Sequence, residues 1–321
     1  MPYLRIRGSN LKFTGERYTP SEQGEIRLEH FHRYALALSL AKNKRVLDVA
    51  CGEGYGSALL SEAAIEVVGV DISQEAVAHA SKVYQGRANL HFLEKSAFDI
   101  GLPDASFDLV VSFETIEHLL EQDQMLAELR RVLKPDGLLL ISSPNRPVYS
   151  GDRSTANEFH VKELDFEELD QLLRRHFSNV EYYGQRLAMG TVVQPLTGHC
   201  SVFTAFSDDG DVVRAHTGKL AEPVYFVALC SASQGGLPSL GASMFIPDSL
   251  DLVKHYISFA KWAQKQDIEI DIRDKNVRHY KSEVEKLSHQ REQLRTEILR
   301  AEAQLELLKD LFRNQLGGES L

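Results

Sequence analysis

Cysteine is scarce: the 321 residues contain three, Cys51, Cys200 and Cys230. An odd, widely spaced set excludes a disulfide framework, offers no zinc-ligand spacing and fits a reducing compartment. Long apolar runs are also missing, and none approaches the roughly 20 residues that a membrane span needs. The opening stretch MPYLRIRGSNLKF has no apolar centre of the kind a secretion signal carries. Positive charge is in deficit, with a formal net charge of -10. That balance argues against a general electrostatic grip on nucleic acid or on an anionic membrane surface. A soluble cytoplasmic protein is expected, peripheral to the inner membrane only through a partner.

What is present is an ordinary globular composition, 43% hydrophobic, arranged as alternating short apolar strands and helical segments. Residues 1–45 read as an N-terminal cap, with a helical pattern from about Ile26 to Leu40. From Arg45 the order is RVLDVA, a helix through SALLSEA, EVVGVDI, a helix through EAVAHASKVY, NLHFLEK, FDLVVSFE, a helix through MLAELRRVL, and GLLLISSP. Strands alternating with helices imply right-handed crossovers and a doubly wound, mostly parallel α/β sheet covered on both faces. A helix near 163–176 follows, and NVEYYGQRL and PVYFVALCS supply two further strands, expected as an antiparallel pair at one sheet edge. The stretch 188–222 between them is expected to be irregular, a lid or substrate loop. This α/β domain is assigned residues 46–249.

Residues 250–321 change character, becoming charged and helical. In heptads counted from Val277 to Gln315, the a positions are Val277, Val284, Arg291, Ile298, Leu305 and Phe312, and the d positions are Tyr280, Leu287, Leu294, Ala301, Leu308 and Gln315. All but Arg291 and Gln315 are apolar, with charges such as Lys281, Glu283, Arg295 and Glu297 at e and g, which is the pattern of a coiled coil. A helix over 277–315 is roughly 58 Å long, too long to fold back on a domain of this size. A homo-oligomer is expected; the mixed a and d residues leave dimer and trimer open.

The glycine-rich stretch VLDVACGEGYG carries the chemistry. A dinucleotide turn reads G-x-G-x-x-G around a pyrophosphate. Here an acid, Asp48, precedes Gly52, Gly54 and Gly56, and the last glycine comes one place early. A carboxylate aimed into the loop repels a pyrophosphate and suits a ligand that brings a cation. S-adenosyl-L-methionine (SAM) carries an ammonium and a sulfonium and no phosphate. Asp71, in VVGVDIS, lies 19 residues after Gly52, where an acid accepts hydrogen bonds from ribose hydroxyls.

These motifs, with SAFDIGLPDASFDLVVSFETIEHL and RVLKPDGLLLISSPN, resemble the successive motifs of class I SAM-dependent methyltransferases. The resemblance implies a seven-stranded sheet, SAM as cofactor and S-adenosyl-L-homocysteine as product, with no metal expected. It implies that Asp48, Gly52 and Gly54 line the methionine end, that Asp71 and Ile72 meet the ribose and adenine, and that Ser96, Ala97 and Phe98 meet the adenine edge. Phe113 and Glu114 then sit beside the transferred methyl. Ser96 departs from the family, in which many members place Asp there. The flanks GERYTP, GEIRLEHFHRYALAL, NEFHVKEL, YFVALCS and KHYISFAKWAQKQD resemble methyltransferases of bacterial surface-polysaccharide assembly, including chain-terminating O-antigen enzymes. Some of those carry a kinase and methylate a phosphate. No kinase glycine loop, HRD or DFG occurs here, so direct methylation of a sugar hydroxyl is the expected reaction.

A sugar hydroxyl is a weak nucleophile whose proton is best removed as the new bond forms, and histidine is the usual base near neutral pH. His160 in NEFH is the favoured catalytic residue, since it follows the fifth strand at the carboxyl edge where ligands of open α/β sheets bind. His118 in ETIEHL is the second candidate. His30 and His32, two apart on a helix, cannot share a face. Arg33 or Arg17 is placed to take the SAM carboxylate in a bidentate pair, and Tyr18 to close over the ligand. Glu114 and Glu117 are a carboxylate pair without a clear third ligand, a sparse set for a metal. The expected acceptor is the non-reducing end of a glycan, with a glycosyltransferase as partner. A quinone, lipid or other small molecule is the alternative acceptor, and a non-catalytic SAM-binding scaffold the alternative of another class.

Overall fold

The computed structural model describes residues 19, 24–151, 157–188, 205–208, 213–216, 220, 222–233, 235–245 and 252–316. Contacts divide the chain into two compact units, Met1–Pro247 and Asp248–Leu321.

In the first unit the order is α1 (Glu25–Ala41), β1 (Arg45–Val49), α2 (Tyr55–Leu60), β2 (Glu66–Asp71), α3 (Gln74–Val83), β3 (Leu90–Glu94), β4 (Phe107–Ser112), a short 3₁₀ turn (Ile116–His118), α4 (Gln122–Val132), β5 (Leu133–Pro144), α5 (Arg146–Tyr149), α6 (Phe166–Arg174), β6 (Asn179–Gln185), β7 (Ala205–Asp208), β8 (Val213–His216) and β9 (Tyr225–Ser231). Seven strands form one sheet in the order β3-β2-β1-β4-β5-β9-β6. Every pair from β3 to β5 is parallel. β9 runs antiparallel to both β5 and β6, the edge arrangement read from the sequence.

The central strands are continuous apolar runs because both faces are covered. In β9, Phe226, Ala228 and Cys230 join the core that contains Phe107, Met125 and Leu129, while Val227 and Leu229 join the opposite core with Phe31, Tyr34 and Val46. Helix α6 is stopped from unravelling at its start by a capping box: Asp165 accepts from Glu168 N–H, and the Glu168 side chain accepts from Asp165 N–H.

The expected irregular stretch 188–222 contains a two-stranded antiparallel ribbon, β7 with β8, which corrects that expectation.

The second unit is one helix, α7 (Leu252–Leu316), of 65 residues, which at 1.5 Å rise per residue is roughly 98 Å long. Val277, Tyr280, Val284, Leu287, Leu294, Ile298, Leu305, Leu308 and Phe312 are all exposed on it. No described helix is long and apolar enough to cross a membrane.

Candidate active site

The switch in strand order lies between β1 and β4, where the chain leaves to β2 on one side and β5 on the other, so ligands are expected at the carboxyl ends of these strands. The loop from β1 to α2 occupies that crevice. It turns through three left-handed residues, Ala50 (φ 59), Gly52 (φ 53) and Gly54 (φ 77). A Cβ on Gly52 would meet nothing within 4 Å among the described residues, which leave this face of the loop open. A Cβ on Gly54 would stand 2.5 Å from the Phe92 ring, and one on Gly56 closer still to the Tyr34 ring. Gly52 thus opens the crevice, whereas Gly56 serves packing.

Asp48, at the end of β1, is fully buried. Its Oδ2 accepts a 2.6 Å hydrogen bond from the Ser57 hydroxyl, and both oxygens accept from Tyr34 Oη at 3.2 and 3.3 Å. Burial pushes its carboxyl up to about 7, against the opposing pull of these hydrogen bonds. Asp71, at the end of β2, accepts from Gly52 N–H and Ser73 N–H, both at 2.8 Å, so its carboxylate is locked beside the glycine turn. The next side chain, Ile72, is 77% exposed although apolar. Ser96, Ala97 and Phe98 follow β3 in a tight turn in which Ser96 Oγ accepts from Phe98 N–H, and the Phe98 ring is exposed.

The turn after β4 is strained. Glu114 has φ 49, a left-handed conformation rare for a residue with a Cβ. It is held there by Ser142 on β5, whose hydroxyl accepts from Glu114 N–H at 3.0 Å and donates to Glu114 Oε1 at 2.6 Å. Phe113 stands edge-on to Tyr34 at 5.0 Å, coupling this turn to Asp48. Arg33, from α1, is 1% exposed. It donates to Gln185 Oε1 at 2.7 Å, approaches Glu114 at 3.8 Å and lies over the Tyr225 ring. Burial works against its charge, but Glu114, Tyr225 and Glu29 hold its pKa above the ordinary value. Burial pushes Glu29 up to about 7 in the same network.

His118 and His160 come together, edge to face with ring centroids 5.0 Å apart. The loop that bears His160 is pinned to the 3₁₀ turn: Val161 and Lys162 N–H both donate to Glu117 O at 2.9 Å. His118 Nδ1 donates to Phe159 O at 2.7 Å, and His160 Nδ1 donates to Glu163 Oε1 at 2.5 Å. While the rings are neutral, both therefore carry their lone pair on Nε2. Tyr149 stacks on His160 at 5.3 Å. Glu117, which precedes His118 in the chain, is fully buried, and among the described residues neither of its carboxylate oxygens is hydrogen-bonded. Burial, and then the neighbouring Glu114, drive its pKa well above the carboxylate range.

The remaining histidines diverge, as their spacing requires. His30 Nδ1 meets Tyr55 Oη at 2.9 Å, and His32 Nε2 meets Ser243 Oγ at 2.8 Å. Tyr18 and Arg17 lie outside the described residues. Sequence reasoning missed Ser57, Tyr34, Ser142, Gln185, Tyr225 and Glu163, the residues that hold the named ones. Glu163 had a local signal, three residues from His160, and Ser57 lies nine residues after Asp48; Tyr34, Ser142, Gln185 and Tyr225 come from other helices and strands.

The crevice fits SAM. Two buried carboxylates face a glycine turn with an open side, and an exposed apolar side chain, Ile72, follows Asp71, so the donor set suits a cationic ligand with a flat base rather than a phosphate. Residues 47–141 match a family model described as a methyltransferase domain. A probable SAM-dependent methyltransferase of Mycolicibacterium smegmatis is 38% identical over 176 residues, 54% of this chain and 67% of the relative. One of Mycobacterium tuberculosis is 39% identical over 166 residues, 51% of this chain and 60% of the relative. The 2-methyl-6-phytyl-1,4-hydroquinone methyltransferase of a Synechocystis species is 30% identical over 157 residues, 49% of this chain and 48% of the relative. The matches thus span between about half and two thirds of these relatives. With the seven-stranded sheet and this crevice, they show that the chain belongs to the SAM-dependent methyltransferases.

Proposed function

We propose that the protein transfers a methyl group from SAM to a sugar hydroxyl, at the non-reducing end of a bacterial surface glycan. The observation that carries this reading is the polar character of the acceptor edge: Glu114, Arg33, Tyr225, Tyr149, His160 and His118 form one chain of side-chain contacts at the carboxyl ends of β4 and β5. Such a lining suits a hydroxyl-rich acceptor, whose polar groups need partners when water is excluded. SAM, when bound, supplies an electrophilic methyl group on a sulfonium. Asp48 would hold its cationic end, Asp71 its ribose, and Ile72 and Phe98 its adenine. The acceptor oxygen would form its bond to that methyl carbon as the carbon–sulfur bond broke, the electron pair staying on sulfur. Its proton leaves toward the His160 side of the site, where a positioned group contributes roughly 10² to 10⁴ in rate.

The resemblance of the flanking segments to polysaccharide chain terminators supports the glycan end, and the heptads support an oligomer joined through a coiled coil. In that reading the long helix sets a distance between catalytic heads and a glycosyltransferase partner in the cytoplasm. A second reading, a quinone acceptor, is favoured by the name of the Synechocystis relative. The test is transfer of labelled methyl from SAM to synthetic oligosaccharide ends and, in parallel, to hydroquinones. Labelling of the hydroquinone alone overturns the glycan reading.

A further inference from the structure

The expectation drawn from the sequence was that no metal takes part, because Glu114 and Glu117 have no clear third ligand in the chain. The fold brings other donors to Glu117. One carboxylate oxygen of Glu117 and one ring nitrogen each of His118 and His160 all lie within 4.8 Å of one another. We propose that Glu117, His118 and His160 form a binding site for a divalent transition-metal ion, with zinc as the best match.

Three observations carry this. Glu117 is 0% exposed, and both its oxygens lack a hydrogen-bond partner among the described residues. A buried carboxylate left without donors is costly, and such groups are found paired or on metals. Each imidazole is fixed through Nδ1, one on a backbone carbonyl and one on a carboxylate. That is the outer-shell arrangement that orients metal-binding histidines and keeps Nε2 as the donor atom. Finally, the His160 loop is tied to the Glu117 carbonyl by two backbone hydrogen bonds, so the third ligand is delivered by the fold and not by chance proximity.

Two imidazoles and a carboxylate suit zinc better than magnesium or calcium, which take oxygen ligands. Bond lengths of roughly 2.0 to 2.2 Å imply that the donor atoms draw somewhat closer on binding. Three protein ligands leave a fourth position for an oxygen ligand, water or an acceptor hydroxyl, the pattern of catalytic rather than structural zinc.

The test is titration of Zn²⁺ into the full-length protein, stripped with chelator, by calorimetry against a competing chelator. One equivalent is expected to bind at least 100-fold more tightly than any further ions. His160→Ala and Glu117→Gln are each expected to weaken that step at least 100-fold, and Glu163→Gln roughly 10- to 100-fold. His289→Ala, on the exposed face of α7, should leave it unchanged. Glu117→Gln is nearly isosteric with the neutral acid that burial favours, so its folding is not put at risk by the absence of metal. Absence of a one-equivalent step, or a step that survives in both His160→Ala and Glu117→Gln, overturns the site. Because the readout is metal binding and not methyl transfer, this site and the glycan acceptor fail independently.

Discussion

The hydroxyl of Ser142 both accepts from the backbone N–H of Glu114 and donates to its carboxylate, at 3.0 and 2.6 Å. A left-handed backbone at a residue with a Cβ costs about 1–2 kcal/mol, so this two-way clamp holds a conformation the chain would otherwise leave. The strain sits where the acceptor is expected, at the carboxyl end of β4.

Ser142→Ala removes both bonds and leaves a buried donor unmatched. A loss of about 1–3 kcal/mol in stability is expected, read as a lower urea midpoint at unchanged slope, together with slower methyl transfer. A change below about 0.5 kcal/mol would show that the clamp does not hold the turn.

Gly56 and Gly86 give a paired prediction. A Cβ on Gly56 would run into the Tyr34 ring, and Tyr34 holds both Asp48 and Phe113. Gly56→Ala is expected to cost at least about 1–3 kcal/mol through overpacking and to weaken SAM binding. Gly86, where a Cβ meets nothing within 4 Å, should accept Ala with little effect on thermal unfolding. Equal stability of the two variants would remove the packing role assigned to Gly56.

The parts of the fold legible in the sequence were those set by local pattern. Asp48, the glycines and Asp71 follow apolar strands at fixed spacings, and the β9–β6 edge pair follows from two long apolar-rich strands. The β7–β8 ribbon was passed over because its strands are only four residues each, too short for a period to register. The site was legible in its reactive residues and illegible in their supports. Ser142 is 28 residues from Glu114 and Gln185 is 152 from Arg33; such pairings exist only once the sheet has assembled. Glu117 shows the same limit. Beside Glu114 in sequence it lacked a third ligand, but His160 reaches it from a loop beyond β5.

The heptad face of α7 gives a prediction about assembly. Leu294 and Ile298 are d and a positions and are exposed on the single helix. In a coiled coil they are buried between helices, and a charge there is strongly unfavourable. The full-length protein is expected to be a dimer or trimer by light scattering, and Leu294→Asp with Ile298→Asp to be a monomer. Retention of one oligomeric state by both would place the association elsewhere.

Asp48 and the cofactor are linked through protons. In the folded protein its carboxyl is raised from 3.8 to about 7, so the folded state binds a proton that the unfolded chain releases. The stabilisation this gives is complete below about 4 and is lost as pH rises toward and through about 7. Glu29, raised to about 7 by burial, titrates in the same window and adds to the fall. Asp48→Asn keeps the Ser57 and Tyr34 hydroxyls engaged with an amide oxygen and removes the share due to Asp48, so its stability should fall less between pH 5 and pH 8 (roughly the span in which carboxyls raised this far titrate). A cationic ligand beside Asp48 favours the carboxylate. Binding of SAM should therefore release a proton from Asp48 at about pH 6, and its affinity should rise as pH increases through about 7. Calorimetry in buffers of different ionisation enthalpy reads that proton directly. In Asp48→Asn the release should disappear and the pH dependence of affinity should flatten. Undiminished proton release in the variant would assign it to another group and would remove Asp48 from contact with the cationic end of the cofactor.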